Sequence, residues 1–280
     1  MPSLAHPLSL SLLLVGLGAC ADETTKPSTA PAEQPAAAEP APSEAVEGAA
    51  TIDAAALVAA PDREEADRET DRRRKPVELL EFLELAPGMK VADIGAGTGY
   101  TSELLARALG PEGVVYGQNP PFVLERFARA GWDARLAKPI NATVVSLERE
   151  FDDPFPDEIE ALDLVINVLF YHDFAWQEVD RAAHNADVFA ALRPGGRYVI
   201  IDASAAAGHG TDDSKTLHRI EESLVVAELE AAGFVLAASA DFLRNPEDTR
   251  DWNALPWRDP ERAERGEFSD KFVLAFEKPG

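Results

Sequence analysis

The stretch VADIGAGTGY, residues 91–100, decides the fold, because it joins an apolar strand to a loop with glycine at every second position. Gly95 and Gly97 let the backbone turn sharply and let a ligand approach the main chain without meeting a Cβ atom, and Gly99 relaxes the entry into the next helix. A dinucleotide fingerprint would need glycine where Tyr100 stands, and the Gly-Lys-Ser/Thr signature of a P-loop is missing. The stretch therefore predicts a glycine loop for a nucleotide-like ligand of another kind.

Strands and helices alternate around this loop. Apolar runs predict seven strands, at residues 90–94, 113–117, 142–147, 162–170, 197–204, 234–240 and 271–277. Helical patterns lie between them, at residues 76–85, 100–109, 122–130, 176–192 and 217–232. This alternation predicts an α/β fold with a seven-stranded, mostly parallel sheet and helices on both faces. Ligands of such sheets bind beyond the carboxyl ends of the strands, where the strand order reverses.

A charged segment precedes the sheet. Residues 62–75, DREEADRETDRRRK, hold six acids and six bases. The pattern predicts a solvated helix with the i,i+4 pairs Glu64–Arg68 and Glu69–Arg73.

Three motifs resemble the class I methyltransferases that depend on S-adenosylmethionine. The stretch LEFLELAPGMKVADIGAGTGYTSELLA (80–106) matches their opening helix, strand and loop, ALRPGG (191–196) their turn before the fifth strand, and LEAAGF (229–234) the approach to the sixth. The chain is also similar to a group of bacterial methyltransferases, some of them exported. The resemblance implies a Rossmann-like methyltransferase fold and an enzyme that transfers a methyl group from S-adenosylmethionine, its cofactor, to a small-molecule acceptor.

The resemblance also implies which residues bind the cofactor. The three loop glycines should lie against it, and Asp93 is expected to hold the ammonium group of its methionine end; alternatively, Asp93 hydrogen-bonds the loop amides. One departure concerns the end of the second strand, which reads Gln118-Asn119-Pro120-Pro121 and lacks the family's ribose-binding acid. Asn119 is the expected substitute, and Gln118 could accept the same hydrogen bond, although a neutral acceptor is weaker by about 1 kcal/mol; alternatively, Asn119 only begins a turn.

The stretch FYHDF, residues 170–174, follows the fourth strand, and in this family that loop faces the transferred methyl group. His172 is the expected catalytic base where the acceptor must lose a proton, because imidazole titrates near neutral pH. Tyr171 is the second expected catalytic residue and would orient the acceptor. Asp173 is expected to cap the next helix rather than pair with His172. The alternative is that His172 only hydrogen-bonds within its own loop.

Two further histidines follow the fifth strand. His209 lies in a glycine-rich loop and His218 is expected to start the next helix, so both should lie at the same edge of the sheet as His172. A metal site of His172, Asp173, Asp202 and His209 is the alternative, but no tight His/Cys spacing supports it, and we expect no metal.

A long segment, residues 243–270, precedes the last strand and contains Trp252 and Trp257. Segments of this length are often functional, so the two indoles are expected to line the pocket. Packing on the surface is the alternative.

The first fifty residues have no pattern of a folded domain. Residues 8–17 form a leucine-rich run too short to span a bilayer, and LGAC (17–20) resembles the bacterial lipobox, which is cut before a lipidated cysteine. We expect a lipoprotein-type signal peptide at 1–20, although residues 1–7 lack Lys and Arg, a disordered Ala/Pro/Glu-rich linker at 21–50 and the methyltransferase domain at 51–280. The alternative is an ordinary signal peptide with a chance cysteine.

These features predict a protein of the bacterial cell envelope that faces the periplasm and touches the membrane only through lipidated Cys20. The net charge of −24 disfavours nucleic acid as a partner, and the single cysteine excludes an internal disulfide framework. A competing interpretation is a non-catalytic, envelope-anchored binding protein that keeps the methyltransferase fold. The lipobox and the missing ribose acid favour that interpretation, whereas the intact glycine loop and the stretch FYHDF favour the enzyme.

Overall fold

The computed structural model describes residues 52–280. The expected signal peptide at residues 1–20 and the expected linker at residues 21–50 lie outside the described residues. Within 52–280, no helix is long and apolar enough to cross a membrane.

Seven strands form a single sheet. Their bounds are β1 Lys90–Ile94, β2 Val114–Asn119, β3 Val144–Glu148, β4 Leu162–Val168, β5 Leu192–Ala203, β6 Val235–Ala240 and β7 Lys271–Glu277. The strand order is β3-β2-β1-β4-β5-β7-β6, and β7 alone runs antiparallel to its neighbours. The prediction of a seven-stranded, mostly parallel α/β sheet is confirmed.

Helices cover the sheet. Their bounds are α1 Ala54–Val58, α2 Glu65–Arg74, α3 Pro76–Leu83, α4 Tyr100–Leu109, α5 Pro121–Val123, α6 Arg129–Leu136, α7 Tyr171–Trp176, α8 Arg181–Ala191, α9 Glu222–Ala231 and α10 Pro260–Glu264. A π-helical turn, Leu124–Ala128, joins α5 to α6, so the single helix expected at 122–130 is interrupted.

The core consists of two apolar clusters on opposite faces of the sheet. Along β4, Val165 belongs to one cluster, whereas Leu164 and Ile166 belong to the other, as the alternation of a strand requires. All three side chains are buried. A strand that is covered on both faces needs apolar residues at consecutive positions, which is why the sequence of β4 is apolar nearly throughout.

The charged helix α2 is not the solvated helix that the sequence predicts. Its acids form ion pairs with distant residues: Asp67 lies 2.5 Å from Arg135 of α6, and Asp71 lies 2.7 Å from Arg63. Neither of the two i,i+4 pairs expected within the helix is present in this part of the chain. Since Asp67 and Arg135 are both buried, α2 packs against the sheet domain and contributes side chains to its interior.

Two helix boundaries also differ from the prediction, and both affect the site. The helix expected at 176–192 begins only at Arg181, as α8, and the separate helix α7 covers residues 171–176, so the stretch FYHDF forms the start of a helix rather than a loop. The helix expected at 217–232 begins only at Glu222, and His218 lies in the preceding loop with a φ of 53°.

Candidate active site

The three loop glycines lie in three different environments. A Cβ atom on Gly95 would lie 2.6 Å from the ring of Phe170, and one on Gly99 would lie 2.8 Å from the ring of Trp132. A Cβ atom on Gly97 would meet no described atom closer than the Gly95 carbonyl oxygen, at 3.9 Å. Gly95 and Gly99 are therefore required by packing, whereas Gly97 borders an open cavity.

Two amide side chains of β2 hold the loop in place. The backbone N–H of Gly95 donates to Oε1 of Gln118 (3.1 Å), and that of Gly97 donates to Oδ1 of Asn119 (2.8 Å). The amide of Asn119 also donates to the carbonyl of Gly97 (3.1 Å). Both side chains are fully buried and do not line the cavity. The structure thus gives Asn119 a loop-holding contact, and ribose binding by Asn119 stays a prediction.

Asp93 lies beneath the loop. Its Oδ2 accepts a 2.6 Å hydrogen bond from the hydroxyl of Ser102 in α4, so it links β1 to the first turn of that helix. Burial raises the pKa of Asp93 to about 7, against the opposing effect of that hydrogen bond. Asp93 does not line the cavity, and its expected contact with the cofactor ammonium group stays a prediction.

A cavity of about 610 Å³ lies at the carboxyl ends of the strands, beside Gly97. The strand order reverses between β1 and β4, which is where ligands of such sheets bind. The apolar lining of the cavity comes largely from aromatic side chains, namely Phe122, Phe127, Phe170, Trp176, Trp252, Trp257 and Phe268. Trp252 and Trp257 thus line the cavity, as one of the two interpretations of the segment 243–270 predicts.

Two histidines and a carboxylate meet at the wall of this cavity. Nε2 of His172 lies 3.0 Å from Oδ1 of Asp173 and 3.2 Å from Nδ1 of His218. Nδ1 of His218 lies 3.3 Å from the same oxygen of Asp173. The expectation that Asp173 would not pair with His172 is wrong: the tight turn at the start of α7 brings the two neighbouring side chains together, and the residue before α7, Phe170, takes the N-cap position.

The environment of His172 opposes its predicted role. Burial disfavours the charged imidazolium, but the carboxylates of Asp202 and Asp173 outweigh burial and raise the pKa of His172 to about 10. His172 is 1% exposed and does not line the cavity, whereas Asp173 and His218 do. A base must reach the acceptor, and His172 neither lines the cavity nor keeps its ordinary pKa, so catalysis by His172 as a base stays a prediction that this geometry does not support.

Tyr171 points away from the cavity. Its hydroxyl donates to Oε2 of Glu228 (2.8 Å) and accepts from the amide of Asn185 (2.9 Å), and the side chain is fully buried. These contacts tie α7 to α8 and α9. The structure assigns Tyr171 a packing contact, and its catalytic role stays a prediction.

His209 is not part of the cluster. It lies on an exposed loop, where its Nδ1 is 2.8 Å from Asp213, and it does not line the cavity. The metal set that includes His209 is therefore not assembled, while His218, which reasoning from the sequence placed on a helix, takes the position beside His172.

A group of cations on the cavity wall was missed by reasoning from the sequence. Arg73 and Arg74 at the end of α2 and Lys271 at the start of β7 all line the cavity, and within the described residues none of them forms an ion pair. Nε of Arg74 has no hydrogen-bond partner there. Burial and the neighbouring arginines lower the pKa of Lys271 to about 7. The run of three arginines in 62–75 was the available signal.

Comparison with known proteins shows what the chain is similar to. A family model described as protein-L-isoaspartate(D-aspartate) O-methyltransferase (PCMT) matches residues 75–125, which contain the glycine loop. A SAM dependent methyltransferase from Aquifex aeolicus superposes with a TM-score of 0.52 at 16% identity, over 81% of this chain and 100% of that one. The chain has the class I methyltransferase fold. The predicted resemblance to the S-adenosylmethionine-dependent methyltransferases is thereby confirmed.

Two curated methyltransferases are similar in sequence to parts of this chain. Protein-L-isoaspartate O-methyltransferase from Methanothermobacter thermautotrophicus is 50% identical over 38 residues, 14% of this chain and 18% of that protein. Ubiquinone/menaquinone biosynthesis C-methyltransferase UbiE from Burkholderia multivorans is 31% identical over 121 residues, 42% of this chain and 44% of that protein. The chain thus matches less than half of the length of either relative.

Proposed function

We propose that the protein transfers a methyl group from S-adenosylmethionine to a small-molecule acceptor. One observation carries this proposal: Gly97, at the tip of the glycine loop, and the polar pair Asp173 and His218 line the same cavity. In such a transfer the acceptor atom forms the new bond to the methyl carbon, and the electron pair of the breaking bond stays on sulfur, which leaves S-adenosylhomocysteine. The cofactor and the acceptor must therefore lie in the same cavity.

The chemistry of the loop suits this cofactor. S-adenosylmethionine has no pyrophosphate to neutralise, so a neutral glycine loop suffices. Gly95 and Gly99 let the loop pack against Phe170 and Trp132, while Gly97 leaves the backbone open to the cavity. The names of the family model and of both curated relatives, all methyltransferases, support the same assignment.

A small acceptor fits the shape of the cavity. Its volume lies within the range of about 300–1,000 Å³ that is usual for small-ligand sites. The segment 243–270 contributes Trp252 and Trp257 to the wall, which favours an enclosed ligand over a protein surface. Arg73 and Arg74 add positive charge and form no ion pair within residues 52–280, so we infer that a carboxylate or another anionic group of the bound molecules lies beside them.

The reaction does not need His172 as a base. Transfer to a nucleophile that is already deprotonated requires only alignment with the sulfonium, so it needs no proton acceptor at position 172. Turnover separates this enzyme from the competing non-catalytic binding protein, because binding alone would leave the methyl group on sulfur.

Calorimetry on the full-length protein tests the cofactor site. We expect S-adenosylmethionine to bind, and Gly97→Val to weaken binding at least tenfold because the new side chain projects into the cavity. Gly88→Val is the matched control: Gly88 also has a positive φ (83°) and open space, but it precedes β1 at the other end of the strand. Equal affinities of the two variants for S-adenosylmethionine would show that the glycine loop does not bind the cofactor.

A second measurement tests the reaction. Wild-type protein incubated with metabolite pools and methyl-labelled S-adenosylmethionine should release S-adenosylhomocysteine and a small labelled product. Tight cofactor binding without any labelled product from such pools would favour the non-catalytic binding protein, and label found only on protein would contradict the small-molecule acceptor.

We also infer that the protein is anchored in the bacterial cell envelope through a lipidated Cys20, with the domain facing the periplasm. The lipobox-like LGAC at 17–20 and the Ala/Pro/Glu-rich stretch after it support this location. A tether of this length would hold the domain away from the bilayer.

A further inference from the structure

We propose that His172, Asp173 and His218 bind a divalent first-row transition-metal ion at the wall of the cavity. Nε2 of His172, Oδ1 of Asp173 and Nδ1 of His218 form a triangle with sides of 3.0, 3.2 and 3.3 Å. No other group of three or more His, Cys, Asp or Glu side chains in residues 52–280 brings its ligand atoms together in this way.

The size of the triangle matches coordination of one ion. Zinc binds imidazole nitrogen and carboxylate oxygen at about 2.0–2.2 Å. Two ligand atoms at that distance, separated by an angle between 90° and the tetrahedral value, lie about 2.8–3.6 Å apart. All three observed sides fall within this interval, so the ligand atoms need not move to receive the ion.

Protons and a metal ion are alternative occupants of the triangle. When both imidazole nitrogens are protonated, both N–H groups can donate to the ionised carboxylate of Asp173, across 3.0 and 3.3 Å. A divalent cation takes the place of these protons, because an imidazole binds a metal through its lone pair and must release its proton to do so. The triangle then directs three lone pairs at one centre.

The surrounding residues hold the ligands in the orientation that a metal needs. Nδ1 of His172 lies 2.7 Å from the buried carboxylate of Asp202, which can only accept, so Nδ1 carries the proton and Nε2 is directed into the triangle. This carboxylate–histidine arrangement is the usual support of a metal-bound imidazole. The indole N–H of Trp176 donates to Oδ1 of Asp173 (2.7 Å) and fixes that carboxylate.

The backbone of His218 gives an independent indication. Its φ of 53° lies in the left-handed region, which is costly for a residue with a side chain and recurs at ligand-binding positions. Just beyond it, Ile220 pairs with Ser204 after β5, which closes the loop and brings His218 toward α7. The chain thus keeps a strained conformation at the position that completes the cluster.

The donor set selects the class of ion. Imidazole suits zinc, iron, copper and nickel, whereas magnesium and calcium prefer oxygen ligands alone. Two histidines and one carboxylate on one side of the ion leave its other positions open. Because Asp173 and His218 line the cavity, these positions face the space that the acceptor would occupy, and an oxygen or nitrogen donor of a bound ligand can take one. The sequence, by contrast, predicted no metal.

Metal analysis of the full-length protein tests this site without recourse to activity. The protein is stripped with a chelator, incubated with zinc, passed through a desalting column and analysed for metal. We expect one zinc ion per chain, and at least a tenfold loss of zinc affinity in His218→Ala and in Asp173→Asn. His209→Ala is the matched control, because that histidine is exposed, pairs with Asp213 and should leave zinc binding unchanged.

Cobalt gives a second readout that does not depend on any one variant folding. Cobalt bound to the wild-type triangle should give visible absorption bands, and added zinc should displace them. His218→Gln, which keeps the size and polarity of the side chain, replaces His218→Ala if circular dichroism shows the latter unfolded. Absence of bound zinc in the wild type, or equal zinc binding by the wild type and the His218 variant, would overturn the proposal.

Discussion

The guanidinium of Arg219 lies 2.8 Å from the carboxylate of Asp248, and neither side chain is exposed. Arg219 also donates to the carbonyl oxygens of Ser204 and Trp252, and its guanidinium stacks on the Trp252 ring with 4.9 Å to the ring centroid. One buried cation therefore holds the segment 243–270 onto the end of β5. The position of Trp252 in the cavity wall depends on this ion pair.

Removing the carboxylate of this pair should destabilise the protein. Asp248→Ala leaves a buried guanidinium without its counter-ion, and breaking such a pair costs about 3–5 kcal/mol. Urea unfolding should show this loss of unfolding free energy. Asp241→Ala is the control, because Asp241 is 93% exposed and lies 3.8 Å from Arg244, so its ion pair contributes little. A loss for Asp248→Ala no larger than that for Asp241→Ala would contradict the anchoring role of Arg219.

The sheet could be predicted from the sequence because its signals are local. The predicted bounds of β1, α4 and β7 are those observed. The two strands are apolar runs, α4 has helical periodicity, and the glycine loop marks the boundary between β1 and α4. The partners of α2 could not be predicted in this way. Asp67 meets Arg135, which is 68 residues further along the chain, and local spacing favoured pairs within the helix instead.

The proposed lipid anchor at Cys20 can be tested by labelling and by cell fractionation. When the full-length gene is expressed in a bacterium with labelled palmitate, the protein should carry the label and sediment with membranes. Cys20→Ser should abolish both properties, because this is the single cysteine of the chain. A soluble wild-type protein that retains residues 1–20 in the cytoplasm would contradict the envelope location.

Arg74 should bind a carboxylate of the cofactor or of the acceptor, and two nucleosides distinguish these sources. S-adenosylhomocysteine has the methionine-like carboxylate, whereas 5′-methylthioadenosine lacks it. If the cofactor carboxylate binds to Arg74, Arg74→Met should weaken S-adenosylhomocysteine binding roughly ten- to hundredfold. This factor corresponds to the loss of one charge-assisted hydrogen bond, which contributes about 1.5–3 kcal/mol. Binding of 5′-methylthioadenosine should not change.

The control for Arg74 lies on the same helix. Arg72 does not line the cavity and its side chain is 62% exposed, so Arg72→Met should leave the affinity for both nucleosides unchanged. If Arg74→Met also leaves S-adenosylhomocysteine binding unchanged, the guanidinium serves the acceptor, and the loss should then be seen in the KM of an identified anionic acceptor. No effect on either ligand would contradict an anion site at Arg74.

The candidate site was only partly predictable for a related reason. FYHDF after the fourth strand directed attention to His172, but the contacts of His172 with Asp202 and His218 span 30 and 46 residues. They depend on how the chain after β5 folds back onto α7. The carboxylates of Asp202 and Asp173 raise the pKa of His172 against the effect of burial, so its unperturbed value near neutral pH was a poor guide to its role.

The buried Lys271 makes stability depend on pH in a defined direction. Its pKa is lowered to about 7 in the folded protein by burial and by Arg74 and Arg73, compared with about 10.5 in an unfolded chain. Between these values the unfolded chain binds one more proton than the folded protein, so this group makes unfolding harder as the pH rises from 7 toward 10. Below pH 7 it is charged in both states and its destabilising effect is largest.

Lys271→Met should therefore stabilise the protein most strongly in mild acid. We expect the variant to exceed the wild type by on the order of 1–3 kcal/mol in unfolding free energy at pH 6, with the difference shrinking by pH 9. Urea unfolding of the wild type and the variant at pH 6, 7.5 and 9 measures this difference and its change with pH. Comparing the two proteins at the same pH removes the contribution of the other titrating groups. Lys215→Met, at an exposed lysine of the same cavity, is the control for loss of a lysine side chain and should change the unfolding free energy little. A Lys271→Met difference that is the same at all three pH values would show that Lys271 keeps its ordinary pKa in the folded protein.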